Sequence, residues 1–190
     1  MMSFMSIIIL IDTNIWIYLY ESGLTWVIRE IAKLPGHEVC ITDGVRRELD
    51  KPEHGGVHAR TDGMFDDGTV VTVEVPGQDP NGPPIYEDAE NELIEVVDKT
   101  LDRKSGMIAT NDDEALNQCR TLGIRNLDME QFLIWCCDLG VLGRYDAVGG
   151  FDDLEKCGLD FKITRAEFVD RVSRSAPPGR SGGDGAAGKT

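Results

Sequence analysis

A run of apolar, mostly β-branched residues at 7–11 ends directly at a carboxylate, Asp12. A continuous apolar run of this length, without alternation, is typical of a strand buried on both faces of a parallel sheet. In an open parallel sheet, ligands bind in the crevice outside the carboxyl ends of the strands. The sequence therefore predicts an α/β fold in which Asp12 lies at the ligand-binding edge of the sheet.

Strand-like and helix-like segments alternate along the rest of the chain. Further strands are predicted at 38–41, 69–75, 107–110 and 124–127. Helices are predicted at 14–20, 26–34, 45–49 with Thr42 or Asp43 as the cap, 87–101, 114–122, 130–139 and 165–172. Polar or Gly-rich segments predict loops at 51–68, 76–84 and 140–164. Such alternation indicates an α/β domain with a mainly parallel sheet.

The ends of the chain predict its organisation and its location. Residues 173–190 are rich in Gly, Ser and Pro, which predicts a disordered tail after a single domain. The apolar start lacks a basic region and a small-residue cleavage site, and no apolar run approaches the roughly 20 residues that span a bilayer. We therefore expect a cytoplasmic protein with no membrane partner.

The charge is strongly acidic, with 34 acidic and 19 basic residues and a net charge of −15. A nucleic-acid partner normally meets a basic face. Two interpretations remain open: carboxylates gathered around divalent cations that bridge to phosphate, or an acidic surface suited to a very salty cytoplasm. We favour an acidic background of the second kind with a metal site inside it. The simplest alternative is a soluble acidic protein without a nucleic-acid partner.

The cysteines form no CxxC pair and lie in apolar segments, which predicts reduced thiols that serve packing. They are Cys40, Cys119, Cys136, Cys137 and Cys157. The histidines have no zinc-site spacing with them. They are His37, His54 and His58. Zinc is therefore not expected.

Two carboxylates follow predicted strands. Asp12 follows the run at 7–11, and Asp112 follows the strand at 107–110 after one Asn. Burying several charges at strand ends is costly unless a cation offsets them. Mg²⁺ prefers one or two protein carboxylates and keeps waters for substrate phosphate. Such a cluster suits metal-assisted hydrolysis of a phosphodiester.

Three segments in order carry a resemblance to a known family. They are IDTNIWIYL at 11–19, TDGVRREL at 42–49 and IATNDDEALNQCRTLGI at 108–124. Together they resemble the opening strand and turn, the second acidic helix and the T-x-D strand end of PIN-domain nucleases, over about residues 6–130. The resemblance implies a three-layer α/β/α fold with a mainly parallel central sheet and extra C-terminal helices. We expect a nuclease domain at 1–130 and a helical extension packed on it at 131–172.

The resemblance also implies a set of metal-binding and catalytic carboxylates. Asp12 would be the central ligand, Glu48 the second, and Asp112 would complete the pocket. The ion would be Mg²⁺ or Mn²⁺. Neighbouring polar residues would shape the turn or orient a metal-bound water: Thr13, Asn14 and Asn111.

The remaining acidic ligand is less clearly determined. The family usually has Asp three residues before one apolar position and seven before another, and Glu90 fits this spacing with Leu93 and Val97. Glu is one methylene longer than the usual Asp. Asp88 is the fallback, and Glu92 follows it.

The implied function is a metal-dependent endoribonuclease acting on single-stranded or looped RNA. It would be either a toxin with an antitoxin-like inhibitor or an RNA-maturation enzyme. The resemblance also implies a homodimer. The alternative is a catalytically degenerate PIN-like module that binds RNA or a partner protein. A phospho-acceptor receiver domain is disfavoured because no middle-strand Asp and later-strand Lys can be placed.

Simpler roles compete with each assignment. Asp12 and Asp112 could be helix caps, and Glu48 could face solvent. Surface arginines are common, so Arg46 and Arg47 are weak candidates for phosphate contacts. The tryptophans are expected to pack in the core rather than stack on bases. They are Trp16, Trp26 and Trp135.

Overall fold

A parallel sheet forms the centre of the computed structural model, which describes residues 7–79, 82–86, 88–101 and 105–175. Its five strands have the order β3-β2-β1-β4-β5, and every neighbouring pair is parallel. The strands are β1 (Ile7–Ile11), β2 (His37–Thr42), β3 (Val70–Val73), β4 (Gly106–Ala109) and β5 (Arg125–Leu127). All five predicted strands are confirmed, with ends shifted by one or two residues.

Helices cover the sheet and complete a three-layer α/β/α arrangement, so the predicted fold class is confirmed. Within the described ranges they are α1 (Thr13–Glu21), α2 (Trp26–Ala32), α3 (Asp43–Leu49), α4 (Gly55–Asp66), α5 (Ala89–Lys99), α6 (Asp113–Leu122), α7 (Met129–Asp138), α8 (Arg144–Lys156) and α9 (Arg165–Ser175). A short 3₁₀ turn at Pro52–His54 precedes α4. None of these helices is long and apolar enough to cross a membrane.

The order of the strands reverses at β1. The chain adds β2 and β3 on one side of β1, and later adds β4 and β5 on the other side. Ile9 lies opposite Val39 of β2 and Met107 of β4. The gap between β1 and β4 is therefore a topological switch point, where the loops after two adjacent strands diverge and leave a crevice. Asp12 lies at this point, directly after β1.

The middle of the sheet is buried on both faces, as the uninterrupted apolar run predicts. Ile9, Leu10 and Ile11 are each 0% exposed. Full burial of one such side chain contributes about 1.5–3 kcal/mol. This core holds the ends of β1 and β4 in fixed positions, and with them the residues that follow.

The loop predicted at 51–68 is wrong, because most of this segment is helical. It contains the 3₁₀ turn and α4. The buried residues of α4 are Val57, Thr61 and Met64, which lie on one face at helical spacing. The Thr61 hydroxyl donates to the carbonyl oxygen of Val57, 3.0 Å away, so its polar group is satisfied inside the helix. The Gly-containing segments that suggested a loop, at 54–56 and 66–68, lie at the two ends of the helix.

The loop predicted between the helices at 130–139 and 165–172 is also wrong over half of its length. Residues Arg144–Lys156 form α8, whose buried positions include Ala147, Phe151 and Leu154. Phe151 stacks on Phe161, with ring centroids 3.9 Å apart. This apolar stripe has helical spacing, but Gly and Asp residues interrupt it in the sequence.

Two segment boundaries also differ from the predictions. Helix α9 ends at Ser175, so the first three residues of the predicted disordered tail at 173–190 are helical. Residues 176–190 lie outside the described residues, as do 80–81 of the loop predicted at 76–84 and residue 87 of the predicted helix. Helix α7 begins at Met129 and therefore spans the boundary placed at residue 130.

Adjacent glycines on α8 provide a matched test of its packing. A Cβ on Gly150 would lie 2.5 Å from Leu24 Cδ1, whereas a Cβ on Gly149 would meet no atom within 4 Å. We expect Gly149→Ala to stabilise the protein by about 0.5–1 kcal/mol, since Gly is unfavourable inside a helix. Gly150→Ala should be less stable than Gly149→Ala by about 1–3 kcal/mol because it overpacks the contact of α8 with Leu24, in the turn between α1 and α2. Urea unfolding of both variants measures the difference, and equal stabilities would contradict the packing described.

Candidate active site

Asp12 is a fully buried carboxylate at the carboxyl end of β1. It is the N-cap of α1, and its Oδ1 accepts a hydrogen bond of 2.7 Å from the backbone N–H of Thr13. Its Oδ2 accepts from Asn14 Nδ2 and from Thr110 Oγ1, each at 2.7 Å. The cap role and the predicted site position therefore belong to the same residue.

Burial raises the pKa of Asp12 from 3.8 to about 7, and the nearby charges of Glu90 and Glu48 add to the effect. The hydrogen bonds from Thr110 and Thr13 oppose this shift without cancelling it. Desolvation and like charges both disfavour the ionised form, whereas a cation would favour it. A carboxyl with such a pKa at the switch point of a parallel sheet is a candidate for chemistry.

Glu48 reaches the same region from α3. This helix follows β2, and Thr42 caps it by accepting from the backbone N–H of Val45. The half-buried carboxylate of Glu48 accepts a 2.6 Å hydrogen bond from Thr13 Oγ1. Thr13 therefore links the two acids, since its backbone N–H donates to Asp12 and its hydroxyl donates to Glu48. The structure does not leave Glu48 as an unattached surface residue.

Glu90 lies in the first turn of α5 and is close to the other predicted acids. Burial raises its pKa, and so do the charges of Glu48, Asp112 and Asp88 in that order. Glu90 is in turn the largest charge acting on Asp12. The structure thus brings the four predicted carboxylates into one electrostatic group. Asp88, the fallback, occupies the N-cap position of α5 and is exposed.

Asp112 follows β4 and caps α6. Its Oδ1 accepts a 2.7 Å hydrogen bond from the backbone N–H of Ala115, and its side chain is exposed. It borders a cleft of about 250 Å³ between α5 and α6. Acidic side chains dominate the rim of this cleft, namely Asp88, Glu90, Asp112 and Glu114. The opening therefore favours cations over anions.

Glu92 lies apart from the four acids although it is only two residues from Glu90. Its Oε2 accepts from the backbone N–H of Gly44, and its Oε1 accepts from Arg47 Nη2, both at 2.7 Å. Residues two apart on a helix do not share a face. Both oxygens of Glu92 are engaged with α3, so it is a poor candidate for the remaining ligand.

Thr110 is a site residue that the sequence analysis did not single out. Its Oγ1 donates to Asp12 Oδ2 at 2.7 Å and accepts from the backbone N–H of Asp112 at 3.1 Å. It therefore connects the two acids that follow β1 and β4. The available signal was its place as the first residue of the T-x-D segment.

Asn14 and Asn111 tie neighbouring loops together. Asn14 Oδ1 accepts from the backbone N–H of Asn111 at 2.9 Å, and Asn111 Oδ1 accepts from the backbone N–H of Met129 at 3.2 Å. Asn14 shapes the turn as predicted. The side-chain oxygen of Asn111 anchors the loop to the start of α7.

A second acidic group lies beside the site, where β5 ends. Asp128 caps α7 through the backbone N–H of Gln131, and Lys162 Nζ lies 3.0 Å from Asp113 Oδ1 and 3.8 Å from Asp128 Oδ2. The buried Glu130 accepts from the backbone N–H of Lys162 at 3.0 Å. These contacts hold the segment between α8 and α9 against the start of α7.

The other candidates have mixed outcomes. Trp16 is fully buried, as expected for a core residue, and Trp135 is half-buried, but Trp26 is 41% exposed. Arg46 lies over the ring of Phe65, with its Cζ 5.2 Å from the ring centroid. Four of the cysteines are buried as predicted, whereas Cys157 is exposed, so the packing role predicted for it is wrong.

The chemistry of the four acids fits a hard divalent cation. They offer only carboxylate oxygens, which suit Mg²⁺ or Mn²⁺. Within the part of the chain that the structure describes, no three His, Cys, Asp or Glu side chains already form a group that could hold a metal ion. Mg²⁺ needs only one or two protein carboxylates because it retains several waters. The donor types therefore fit such an ion, while the side chains do not form a closed cage.

Comparisons with known proteins show only a low similarity. No protein-family model and no curated protein matches the chain. Among solved structures, a PilT N-terminus domain protein from the archaeon Sulfolobus solfataricus is similar, with 12% sequence identity and a TM-score of 0.37. The alignment covers 68% of this chain and 93% of that protein. At this level of similarity, conclusions about chemistry must come from the site itself.

Proposed function

We propose that this chain is a metal-dependent endoribonuclease that hydrolyses phosphodiester bonds of single-stranded or looped RNA. The observation that carries the proposal is the buried carboxyl of Asp12 at the sheet's switch point, with its pKa raised to about 7 by burial, Glu90 and Glu48. Carboxyl groups whose pKa is shifted by burial and by neighbouring charges cluster at functional sites. The sequence resemblance to PIN-domain nucleases supplies the substrate class.

Mg²⁺ or Mn²⁺ would be held by Asp12, Glu48, Glu90 and Asp112. When bound, the ion supplies a Lewis acid for the phosphodiester and lowers the pKa of its water ligand. Asp12 is oriented for this task by Thr110 and Thr13. Glu48 is oriented by the hydroxyl of Thr13. These donors hold both carboxylates in defined orientations.

A divalent ion held in the acidic cleft would allow an anionic substrate to bind a protein of net charge −15. Phosphate normally binds to a basic surface, whereas half of the residues that line this cleft are acidic and none is basic. A divalent ion that several carboxylates hold provides the positive charge that phosphate needs. Both substrate binding and the chemical step would therefore require the metal.

A second candidate is a catalytically degenerate PIN-like module that binds RNA or a partner protein. It is favoured by the hydrogen bonds that already satisfy the acids without a metal: Asp12 accepts from three donors, and Asp112 accepts from Ala115. An antitoxin-like inhibitor, a homodimer and a cytoplasmic location remain predictions. Metal-dependent cleavage separates the two candidates.

The test is cleavage of a short fluorescent single-stranded RNA in Mn²⁺, Mg²⁺ or EDTA, at low and at molar salt. Asp12→Asn should lower the rate on the order of 10²-fold, the typical cost of losing one group that stabilises the transition state. Asp113→Asn is the matched control because this acid is close in sequence to the site but its side chain is 79% exposed. Cleavage that is equal in Asp12→Asn and wild type would contradict the assignment. RNA binding without any cleavage would favour the binding module.

A further inference from the structure

We propose that Glu92 is a positioning residue, which fixes α3 against α5 so that Glu48 faces Glu90, and that it does not itself hold the metal. This inference rests on the proposed function, since it concerns how the metal-binding acids are held in place. Glu48 and Glu90 come from different helices, and each influences the other only if those helices keep their spacing. Glu92 makes the contacts that set this spacing.

Glu92 is a carboxylate of α5 with 2% of its side chain exposed, and it uses both oxygens on α3. Oε2 accepts from the backbone N–H of Gly44, one of the free N–H groups in the first turn of α3. Oε1 accepts from Arg47 Nη2, one turn further along. Two contacts at different points along one helix restrain both its rotation and its position along its axis.

The sequence of α3 accommodates this carboxylate. A Cβ on Gly44 would lie 2.4 Å from Glu92 Oε2 and 2.7 Å from its Cδ, which is far too close. Only glycine allows the carboxylate to reach the backbone N–H here. A surface ion pair would need Arg47 alone, so the close approach at Gly44 indicates that the position of the helix matters.

The face of α3 that Glu92 contacts also carries Glu48. Gly44 and Glu48 are four residues apart and therefore lie on the same side of the helix. From there Glu48 accepts its hydrogen bond from Thr13 Oγ1. A rotation or shift of α3 would move Glu48 away from Thr13 and from Glu90 together. Glu92 thus acts on the site through the helix and not through the ion.

Stability alone is a poor explanation for this contact. Glu92 is buried but the side chain of Arg47 is 49% exposed, and an ion pair of this kind often contributes little net stability because desolvation and solvent screening offset the attraction. Residues that orient metal ligands, in contrast, typically change metal affinity by about 10- to 100-fold when replaced. A positioning role therefore predicts a large change in metal affinity when Glu92 is replaced, whereas a purely stabilising role does not.

The experiment is Mn²⁺ binding by isothermal titration calorimetry, with the folded fraction of each variant checked by circular dichroism. Glu92→Gln keeps an oxygen that can accept from the backbone N–H of Gly44, but it replaces the carboxylate that pairs with Arg47 by a neutral amide. We expect its Mn²⁺ dissociation constant to rise by about 10- to 100-fold. Glu95→Gln is the matched control, since it removes the same charge and an ion pair with Lys99 from the same helix. It should bind Mn²⁺ within about twofold of wild type, because its ion pair lies within α5 and does not contact α3.

Arg47→Ala separates positioning from simple charge effects. Removing a positive charge near the site should tighten Mn²⁺ binding if only long-range attraction matters. Loss of the contact that restrains α3 should weaken it instead, by about tenfold or more. If Arg47→Ala fails to fold, Gly44→Ala tests the same contact, because its methyl group displaces the Glu92 carboxylate.

The outcomes are distinct. Weaker Mn²⁺ binding in Glu92→Gln and in Arg47→Ala or Gly44→Ala, with normal binding in Glu95→Gln, supports the inference. If wild type binds Mn²⁺ and Glu92→Gln binds it equally well, or if Arg47→Ala binds it more tightly, the positioning role is overturned while the proposed function stands. A wild-type protein that binds no Mn²⁺ overturns both.

Discussion

The metal-free protein is expected to lose stability as the pH rises from about 4 to about 7, and replacing Asp12 with Asn should abolish most of this loss. The pKa of Asp12 is 3.8 in its ordinary state and about 7 in the folded protein. The folded state therefore keeps a proton that the unfolded chain releases in this range. Stability is highest below the unfolded pKa and falls until the pH exceeds the folded pKa.

The size of the effect follows from the shift. Each pKa unit corresponds to about 1.4 kcal/mol, so a shift of about three units gives at most about 4 kcal/mol. Asp12 is fully buried, so solvent does not screen this penalty. Asn at this position stays neutral and contributes no such slope. A smaller slope should remain, because the pKa of Glu90 is also raised.

Urea unfolding in EDTA across this pH range measures the effect through tryptophan fluorescence. Asp113→Asn should keep the wild-type slope, since that carboxylate is mostly exposed. Adding Mn²⁺ at neutral pH should restore the stability of the wild type but not that of Asp12→Asn, because only the wild type carries the Asp12 charge that the ion offsets. Parallel pH profiles for wild type and Asp12→Asn would show that the pH dependence of stability does not arise from Asp12.

Phe151→Ala is expected to destabilise the protein by about 3–5 kcal/mol, the usual cost of removing a buried Phe. Phe151 is fully buried and stacks on Phe161 and Phe168, with ring centroids 3.9 and 4.6 Å apart. Its loss would open a cavity among α8, α9 and the segment that joins them. Tyr145→Ala on the same helix is the control, since Tyr145 is 90% exposed and should change stability by less than about 0.5 kcal/mol.

The same variant tests whether the C-terminal helices form a separate unit. Helix α7 contacts β5, α8 contacts α1, and α9 contacts both α7 and α8. We therefore expect Phe151→Ala to unfold in one transition, with circular dichroism and tryptophan fluorescence coincident. Two separate transitions would show that the residues beyond the sheet fold independently.

The sheet could be predicted from sequence because its strands are short apolar runs with turn signals on both sides. The run at 7–11 is short and mostly β-branched, which favours a strand buried on both faces without long-range information. The position of Asp12 at the sheet's edge followed from that run. By contrast, α4 and α8 were missed because their buried faces are sparse. Only Val57, Thr61 and Met64 of α4 are buried, and the Gly-containing segments at 54–56 and 66–68 resemble a loop.

The contacts among the site residues could not be predicted, because they depend on where helices from distant segments meet. Local spacing suggested Glu90, Asp88 and Glu92 as alternatives for one role. Only the packing of α5 on α3 directs Glu92 toward Gly44 and leaves Glu90 near Asp12. The bridging role of Thr110 likewise depends on β4 lying beside β1. Spacing along the chain carries no information of this kind.

The central place of β1 has a consequence for the order in which a newly made chain can assemble. Asp12 depends on β4 for its neighbours, because its backbone N–H donates to Ala109 and its side chain accepts from Thr110, 98 residues later. At ordinary rates of protein synthesis these partners emerge from the ribosome roughly 5–20 s after Asp12 does. During that interval β1 can pair only with β2, and its other edge stays open. An unfinished chain therefore lacks the pocket altogether, and any activity of the site begins only after the chain has passed β4.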